Sequence, residues 1–379
     1  MSPLTVSIVG AGIGGLLLAR VLHVHGVAAV VYEAETSPGG RRQGGQLDIH
    51  AENGQFAIAA AKLTEEFQAV IHRGGEASRV LDRHGTVLLD EPDDGALARP
   101  EVLRGDLRRI LLDSLPDGTV RWGCKLTAVT ARGDGAHDLA FADGATATTG
   151  LLVGADGAWS RVRPLVSDAA PAYVGTTFVE TYLDDADERH PATAEAVGAG
   201  SFFSMAPGQG IFAHREPGNV LHAYVALNRP AEWVAGIDFD DRAAAAARVA
   251  AEFDGWAPQL TALITASDTA PVPRPLYALP DEHRWPHVPG VTLLGDAAHL
   301  TPPGGEGANL AMLDAAELAL AIAADPADVD AAVSAYEDAM FPRSAASAVE
   351  ARATLDICLG EGAPHALVDF LGGAVQTAR

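Results

Sequence analysis

The chain has 379 residues, with 26 Lys and Arg against 50 Asp and Glu, and a formal net charge of −24 at pH 7. This length suits two packed domains, and an apolar content of 48% is enough for a sizeable buried core. So acidic a chain disfavours nucleic acid and anionic membranes as partners, because like charges repel.

The remaining composition excludes several other classes. Two cysteines, Cys124 and Cys358, are too few for a disulfide framework, and no histidines are spaced like metal ligands beside a carboxylate. The N-terminus has no basic region before its first apolar run, and no apolar run reaches the roughly 18 residues of a membrane span. We therefore expect a cytoplasmic protein without a metal site.

The first 32 residues have the pattern of a βαβ unit. The β-branched run at 4–9 predicts a buried strand, and apolar spacing of three and four at 14–25 predicts a helix that Gly26 closes. Residues 28–32 predict a second strand.

A glycine-rich sequence joins the first strand to the helix. Gly10, Gly12 and Gly15 form GxGxxG, in which the first glycine permits a tight turn, the second a close approach to a pyrophosphate, and the third helix packing. The helix N-terminus adds N–H groups and a positive dipole end. Glu33 ends the second strand at the spacing of a ribose-binding carboxylate, and its charge would repel a 2′-phosphate. The site therefore favours FAD or NAD over NADP.

The rest of the chain alternates between helical and strand patterns. Helical spacing covers residues 101–115, about 241–254, 307–323 and 328–358. Strand patterns cover 120–149 as hairpins, 151–155, 291–294 and much of 171–280.

The order of these elements predicts an α/β protein with an interleaved organisation. A Rossmann-like nucleotide-binding domain comprises 1–170 and 281–325, and a mostly antiparallel sheet domain of 171–280, with part of 45–100, is inserted into it. The residues 326–379 form C-terminal bridging helices.

Two further motifs follow predicted buried strands. Asp156 stands in Asp-Gly after the first strand, and Asp296 in Gly-Asp after the second. A carboxylate at a strand end can hold ribityl hydroxyls. A Pro-Pro and glycine loop then opens a helix at 307–309, whose N–H groups can face the electron-rich pyrimidine edge of a flavin. These motifs favour FAD as the cofactor.

In this order and spacing, the three motifs resemble class A flavoprotein monooxygenases, the para-hydroxybenzoate hydroxylase-like family, over essentially the whole chain. Four segments also resemble the Tet(X)-type tetracycline-inactivating monooxygenases: 44–50 (Gly-Gly-Gln-Leu-Asp-Ile-His), 104–108, 295–303 and 339–341. The resemblance implies that the nucleotide-binding domain is an FAD-binding domain.

The resemblance and the motifs together define two sets of candidate site residues. The cofactor set is Gly10, Gly12, Gly14, Gly15, Glu33, Arg41, Asp48, Arg104, Asp156, Asp296, Gly307, Ala308 and Asn309, of which Arg41 would contact NADPH. The substrate set is Phe203, Ser204, His222, Pro303 and Gly304. An arginine that pairs with a phosphate also makes physical sense in so acidic a chain.

The chain departs from the tetracycline-inactivating pattern at two places. Those enzymes carry Phe-Ala-Gly-Gln-Gly after Pro-Pro, where this chain has Gly-Gly-Glu-Gly at 304–307, and they carry Gln where this chain has Ser204. We therefore expect a polycyclic aromatic, polyketide or tetracycline-like small molecule as substrate.

The implied reaction needs no obligatory catalytic side chain. NADPH reduces the flavin, O2 forms a C4a-hydroperoxide, and OH passes to the substrate. The sequence has no second GxGxxG, which fits transient binding of NADPH, and we expect a monomer. His222 could orient or deprotonate a phenol or enol, or could be a structural histidine of a sheet.

Other functions remain open at this stage. The same flavin chemistry permits Baeyer–Villiger insertion, a reductase or an oxidase, and the motifs also suit a non-catalytic flavin-binding or ligand-binding protein. A halogenase is disfavoured because no two of the five tryptophans stand two residues apart, as the Trp-x-Trp motif requires.

Overall fold

The computed structural model describes residues 4–40, 44–133 and 135–377, with the backbone alone at 374–377. The residues group into two compact units. Unit 1 comprises Met1–Ile71, Arg104–Ala172 and Tyr277–Ala351. Unit 2 comprises His72–Leu103, Tyr173–Leu276 and Arg352–Arg379. The C-terminal residues divide between the two units at Ala351 and Arg352, and the group of C-terminal helices expected at 326–379 stays a prediction.

The elements alternate along the chain as follows. The strands are β1 (Thr5–Val9), β2 (Ala28–Tyr32), β3 (Gln46–Asp48), β4 (Ser78–Leu81), β5 (Val87–Glu91), β6 (Glu101–Leu103), β7 (Val120–Arg121), β8 (Leu126–Ala131), β9 (His137–Phe141), β10 (Thr146–Thr149), β11 (Leu151–Gly154), β12 (Ala172–Leu183), β13 (Ser201–Ala206), β14 (Gln209–Glu216), β15 (Val220–Asn228), β16 (Val272–Ala278) and β17 (Val291–Leu293). The helices are α1 (Ile13–Val24), α2 (Phe56–Ala60), α3 (Thr64–Ala69), α4 (Arg104–Asp113), α5 (Ala186–Arg189), α6 (Pro191–Val197), α7 (Ala231–Ala235), α8 (Arg242–Ala250), α9 (Pro258–Thr265), α10 (Asp296–His299), α11 (Gly307–Ala324), α12 (Val329–Leu359) and α13 (His365–Thr377).

Unit 1 is built on a five-stranded sheet in the order β17-β11-β1-β2-β7, and its strands pair in parallel. The central strands are apolar on both faces because the sheet is covered on both sides: Val6 and Ile8 on one face and Leu152 on the other are completely buried. The carboxyl ends of parallel strands meet at one edge. The residues that follow β1, β2, β11 and β17, which include the predicted acidic and glycine motifs, therefore lie at the same edge.

Helix α11 packs along α1 in unit 1. Over its 18 residues it is long and apolar enough to cross a membrane by length and composition, and half of it is buried inside the protein. Leu318, Ala319 and Ile322 are completely buried. Because a core helix of a folded domain passes the same test, this composition reflects core packing.

The predicted hairpins and most helices are present, but one helix begins later than the sequence pattern predicts. Residues 101–103 form strand β6, and α4 begins only at Arg104. The reason is that the backbone there still bonds outside the helix, since Arg104 N donates to Gly45 O at 3.0 Å. Helix α13 lies within the range 326–379 predicted as C-terminal helices, although its residues were not among the segments with helical spacing.

Unit 2 contains a seven-stranded sheet in the order β16-β12-β15-β14-β13-β4-β5. The pairs β12–β15, β15–β14, β14–β13 and β4–β5 are antiparallel, and the pair of β13 with β4 is parallel. Strands β4 and β5 come from residues 78–91, which lie within the range 45–100 named in the sequence analysis. On one face, core residues of the sheet pack with Val197, Val249 and Leu260 from three helices. The other face carries Phe178, Phe212 and Tyr224, among others.

A buried carboxylate ties α12 to the sheet region of unit 1. Glu337 is 2% exposed and accepts hydrogen bonds from Trp285 Nε1 at 2.9 Å and Thr292 Oγ1 at 2.7 Å. Its second oxygen lies 2.9 Å from His287 Nδ1. The side chain thus satisfies several polar groups that would otherwise be buried without partners.

We predict that Glu337→Ala lowers the free energy of unfolding by about 3 kcal/mol, because it leaves buried donors unsatisfied. Urea denaturation followed by tryptophan fluorescence measures the change. The neighbouring Asp338 is exposed, so Asp338→Ala is the matched control and should change the stability little. Equal effects of the two substitutions would contradict this role for Glu337.

Candidate active site

The loop between β1 and α1 is shaped by its glycines. Gly10 has φ +104°, and a Cβ placed on it would lie 2.3 Å from Ala155 O. A Cβ on Gly15 would lie 2.1 Å from Gly10 O. The structure therefore shows both steric reasons for glycine, which are the tight turn at Gly10 and the close helix packing at Gly15. A Cβ on Gly12 would meet no atom within 4 Å, so the backbone there is open to a ligand.

The N-terminus of α1 is suited to an anion. Its first turn contains no acidic residue, and its N-cap is Gly12, whose lack of a side chain leaves the end uncapped. The amides of this turn therefore keep their donors for a ligand, and the helix dipole adds partial positive charge. Gly14 faces the protein instead, because a Cβ there would lie 2.8 Å from Leu294 Cδ1.

Glu33 and Arg108 hold the glycine loop from the protein side. Glu33 Oε2 accepts from Ala11 N at 2.6 Å, and Oε1 accepts from Glu35 N at 2.9 Å. Arg108 is 4% exposed and donates from Nε to Ala11 O at 3.0 Å. Its Nη1 donates to Pro38 O at 2.8 Å. The predicted contact between Glu33 and a ribose stays a prediction, and the carboxylate keeps acceptor capacity for it.

Asp156 follows β11 and is held in a turn of its own. Its Oδ2 accepts from Arg161 N at 2.6 Å, and burial raises the pKa of its carboxyl although Ser160 and backbone amides oppose this. Its Oδ1 is buried without a partner among the described residues. Such an orphaned acceptor is the feature that a hydroxyl-bearing ligand would satisfy.

Arg163 joins this motif to the Gly-Asp motif after β17. It is 3% exposed, and its Nε donates to Ala297 O at 2.8 Å. Its Nη2 donates to Ala158 O at 2.8 Å and to Asp296 O at 3.1 Å. The two strand ends that carry the acidic motifs are therefore fixed to each other.

The Gly-Asp motif is also fastened to α11. Asp314, completely buried, accepts from Gly295 N at 3.1 Å and lies 2.6 Å from His299 Nε2 and 3.0 Å from Arg343 Nη2. Burial lowers the pKa of His299, but the charge of Asp314 outweighs it and raises the pKa overall. Both side chains thus support the loop, while the Asp296 side chain itself is exposed at the strand edge.

The segment around Asp48 meets the start of α11. Asn309 Nδ2 donates to Asp48 O at 2.9 Å, and its Oδ1 accepts from His50 N at 3.0 Å. The Asn309 side chain is therefore occupied within the protein, and any contact of this residue with a cofactor would come from its backbone. Gly307 is exposed and Ala308 is partly exposed, so their backbone remains accessible.

Of the two predicted arginines, the structure describes one. A Cβ on Gly44 would lie 3.7 Å from Arg104 Cδ and Nε, so the Arg104 side chain lies over Gly44, four residues before Asp48. Arg41 lies outside the described residues, and its contact with NADPH stays a prediction.

The loop after Pro303 is pressed against α12. A Cβ on Gly304 would lie 2.8 Å from Ala351 Cα, so the backbone itself occupies the space that a side chain would need. Pro303 is exposed. The loop after Pro303 thus lacks the aromatic residue of the tetracycline-inactivating pattern, and its backbone lies close to α12.

In unit 2, the structure separates the predicted substrate residues. Phe203 pairs with Phe212, and Phe212 with Tyr224, so Phe203 shares a sheet face with His222. Ser204 points to the opposite face, is completely buried, and donates to Asp82 O at 3.2 Å. The structure therefore does not bring Ser204 together with Phe203 and His222.

His222 lies in a buried ionic cluster. Its Nε2 is 2.9 Å from Glu180 Oε1, its Nδ1 is 2.8 Å from Glu216 Oε1, and its ring stacks on Tyr182 with centroids 4.1 Å apart. Arg274 Nη2 lies 2.7 Å from Glu180 Oε2. Burial lowers the pKa of His222, but the two carboxylates outweigh it and raise the pKa overall. These contacts are those of a structural histidine in a sheet, and contact of His222 with a substrate stays a prediction.

The site at the edge of the unit 1 sheet fits FAD. The glycine loop and α1 offer amides to a pyrophosphate, and the unpaired oxygen of Asp156 and the exposed carboxylate of Asp296 suit hydroxyl groups. No cluster of His, Cys, Asp or Glu that could hold a metal occurs among the described residues.

Comparison with known proteins gives the family. A model described as an FAD binding domain matches residues 102–345, and one described as an NAD(P)-binding Rossmann-like domain matches residues 8–65. Since the first match covers well over half of the chain, the protein belongs to the FAD-binding-domain family. Its class is that of an FAD-dependent monooxygenase.

Three similar proteins illustrate the relationship. The 3-amino-4-hydroxybenzoate 2-monooxygenase PtmB3 of Streptomyces platensis is 31% identical over 362 residues, which cover 89% of this chain and 84% of the relative. The structure of Klebsiella pneumoniae HpxO complexed with FAD and uric acid is 26% identical, with a TM-score of 0.78, and covers 94% of this chain and 89% of that chain. The tetracycline destructase Tet(51) is 20% identical, with a TM-score of 0.68 and coverages of 94% and 90%, and shares the fold.

Sequence reasoning missed the two arginines that fasten the site. Arg108 stands in the segment 104–108, and Arg163 follows the Asp-Gly motif of Asp156, but the sequence analysis assigns no role to either. A signal was available for both, because a basic side chain inside an otherwise buried helix or strand-end motif requires partners. Those partners, backbone carbonyls distant in sequence, could not be identified without the structure.

A matched pair of glycine variants tests the site. We predict that Gly12→Ala folds normally, because its Cβ enters open space, but weakens FAD binding at least about tenfold by blocking the approach of the pyrophosphate. We expect Gly15→Ala to destabilise the fold by about 2 kcal/mol, because its Cβ collides with Gly10 O. Thermal unfolding and fluorescence titration with FAD measure the two effects. Unchanged FAD affinity in Gly12→Ala would place the pyrophosphate elsewhere.

The His222 cluster predicts a pH-dependent stability. The raised pKa of His222 means that its contribution is complete below pH about 6.5 and is lost as the pH rises through the folded-state pKa. The pKa of Glu180 is lowered to about 2, because His222, Arg274 and Tyr182 together outweigh burial, so its contribution is lost only in strong acid.

We therefore expect His222→Gln to cost about 3 kcal/mol at pH 6 and less at pH 9, measured by urea denaturation. His84→Gln, at an exposed position of unit 2, is the control. A cost that is the same at both pH values would show that His222 is neutral in the folded protein.

Proposed function

We propose that this protein is a single-component monooxygenase that uses NADPH and O2 to hydroxylate a polycyclic aromatic, polyketide or tetracycline-like small molecule. The observation that carries the proposal is the single nucleotide site at the edge of the unit 1 sheet. The sequence has one GxGxxG, which suits a tightly held FAD, and no second one for a nicotinamide. NADPH would then bind transiently, react and leave.

The residues of unit 1 bind and orient the cofactor in this proposal. The bound flavin supplies hydride acceptance and oxygen activation. Gly12 and the first turn of α1 would hold the pyrophosphate, while Asp156 and Asp296 would accept hydroxyl donors. Arg163 keeps the two acidic motifs in one arrangement, because it bonds to backbone oxygens of both. No side chain needs to form a covalent bond with the substrate.

The names of the relatives support an aromatic substrate. PtmB3 acts on 3-amino-4-hydroxybenzoate, and HpxO was complexed with uric acid; both compounds are electron-rich rings that carry polar groups. Tetracycline itself has weaker support, since the likeness to Tet(51) is one of fold and the aromatic after Pro303 is absent here. We therefore place electron-rich phenols and enols first among the candidate substrates.

The decisive experiment measures NADPH oxidation in air by the FAD-loaded protein, with and without tetracyclines, aminohydroxybenzoates, urate and polycyclic phenols. We expect one class to accelerate oxidation and to gain one oxygen atom by mass spectrometry. NADH in parallel tests the choice of nicotinamide, and the Gly12→Ala variant, which we expect to bind FAD more weakly, is the control with reduced cofactor occupancy.

Each other outcome points to a named alternative. An oxygen inserted between two carbons, seen by NMR of the product, indicates Baeyer–Villiger chemistry. Oxidation of NADPH with production of hydrogen peroxide and no oxygenated product with any compound indicates an oxidase. Binding of FAD without any oxidation overturns the proposal in favour of a non-catalytic flavin protein.

We also propose that the protein works as a monomer in the cytoplasm. Cys124 and Cys358 are both free cysteines, which suits a reducing compartment. Light scattering coupled to size-exclusion chromatography would contradict the monomer if it gave twice the mass of 39.1 kDa.

A further inference from the structure

A second ionic cluster stands at the start of α11, in unit 1. His50 is 6% exposed, its Nε2 lies 2.8 Å from Asp48 Oδ2, and its Nδ1 lies 2.8 Å from Glu306 Oε1. Both ring nitrogens therefore face carboxylates. A neutral imidazole can donate from one nitrogen only, so this arrangement requires the doubly protonated, positively charged ring.

The cluster joins the two segments that flank the start of α11. Glu306 Oε2 also accepts from Asn53 Nδ2 at 3.0 Å, and Asn53 lies in the π-helical turn Ala51–Gln55 that follows His50. Glu306 is the N-cap residue of α11, but its side chain makes no capping hydrogen bond, because it is turned towards His50 and Asn53. Single π-helical turns of this kind often occur at functional sites.

The charge at this place matters for a flavin. The amides at the start of α11 are those that the sequence assigns to the pyrimidine edge, where negative charge develops when the flavin is reduced. Glu306 is the N-cap residue of α11, and its carboxylate adds negative charge at this position. A carboxylate there opposes reduction unless a cation lies beside it.

We propose that His50, held as an imidazolium between Asp48 and Glu306, is a positioning residue that offsets the charge of Glu306 and thereby sets the affinity for FAD and the reduction potential of the bound flavin. The inference rests on FAD binding by unit 1 and is independent of the substrate. The chain carries a carboxylate at the start of α11 and an imidazolium in contact with it.

The charged groups near His50 come from three segments of the chain. Asp48 lies on its own segment, Glu306 at the start of α11, and Arg104, at the start of α4, lies over Gly44. Hydrogen bonds to Asp48 and Glu306 raise the pKa of His50 to about 9. The offset is therefore complete at neutral pH and is lost as the pH rises through about 9.

The test uses the full chain, without NADPH or substrate, so that failure of the proposed hydroxylation does not affect it. We measure the dissociation constant of FAD by fluorescence titration and the midpoint potential of the bound flavin by dye-coupled reduction. We expect His50→Gln to weaken FAD binding about tenfold and to shift the potential to more negative values, because two carboxylates lose their cation. We expect Glu306→Gln to shift the potential to more positive values.

The double variant separates charge compensation from simple support of the loop. If His50 offsets Glu306, His50→Gln with Glu306→Gln regains most of the affinity and potential that His50→Gln loses. A double variant as impaired as His50→Gln, or a His50→Gln variant with wild-type values, overturns the proposal. The exposed substitutions His23→Gln and Glu350→Gln are the matched controls and should change neither quantity.

The pH dependence gives a second readout, which remains available if His50→Gln fails to fold. In the wild type, FAD affinity should fall between pH 8 and pH 10 as His50 loses its proton. In Glu306→Gln the fall should begin at lower pH, because one of the two carboxylates that hold the proton is gone. An unchanged profile in Glu306→Gln would also overturn the proposal.

Discussion

The arrangement of unit 1 depends on one buried guanidinium. Arg163 reaches from the segment after β11 to the segment after β17 and donates to three backbone oxygens, those of Ala158, Asp296 and Ala297. Burial lowers the pKa of Arg163, although the nearby Asp156 and Asp296 oppose this. The cation therefore lies between two acidic motifs in a chain with a large excess of negative charge. Its hydrogen bonds fix the position of one motif relative to the other.

At each loop of the site, some groups hold the backbone in place and other groups stay available to a ligand. Side chains that rise from the protein side bond to loop carbonyls, as Arg108 does to Ala11 and Asn309 does to Asp48. Carboxylates fix selected amides, as Asp314 does at Gly295. The amides at the start of α1 are left free of side-chain caps. Because the loops are held without using these donors, a bound anion meets a surface that is already organised.

Much of this fold could be predicted from sequence, since it follows from local pattern. Apolar runs of five residues and helical spacing located the βαβ unit, and the glycine spacing identified its turn. Successive residues of a strand point to opposite faces, so the strand pattern of β13 also predicts that Phe203 and Ser204 point in opposite directions. The resemblance to the family nevertheless placed both in one substrate set. The strand before α4 was missed because helical spacing continued into residues that bond elsewhere.

The long-range contacts could not be predicted in this way. Arg163 bonds to residues 133 and 134 positions away, and His50 to one 259 positions away, so no window of sequence contains both partners. A basic side chain in a motif signals that a partner exists, but not which one. The ionic cluster of unit 2 is of the same kind, since His222 and Glu180 stand 42 residues apart.

The contact between Gly304 and Ala351 has a consequence for how this enzyme could diverge. Because the loop backbone lies against the helix, the side-chain sizes at the two positions are coupled. Neither residue can be replaced by a larger one without a change at the other. An aromatic residue grafted onto the loop would collide with α12, and a larger residue on α12 would displace the loop. A route from this protein to one with a bulky residue after the Pro-Pro pair therefore passes through paired changes in loop and helix. Positions 304 and 351 should therefore vary together among proteins related to this one.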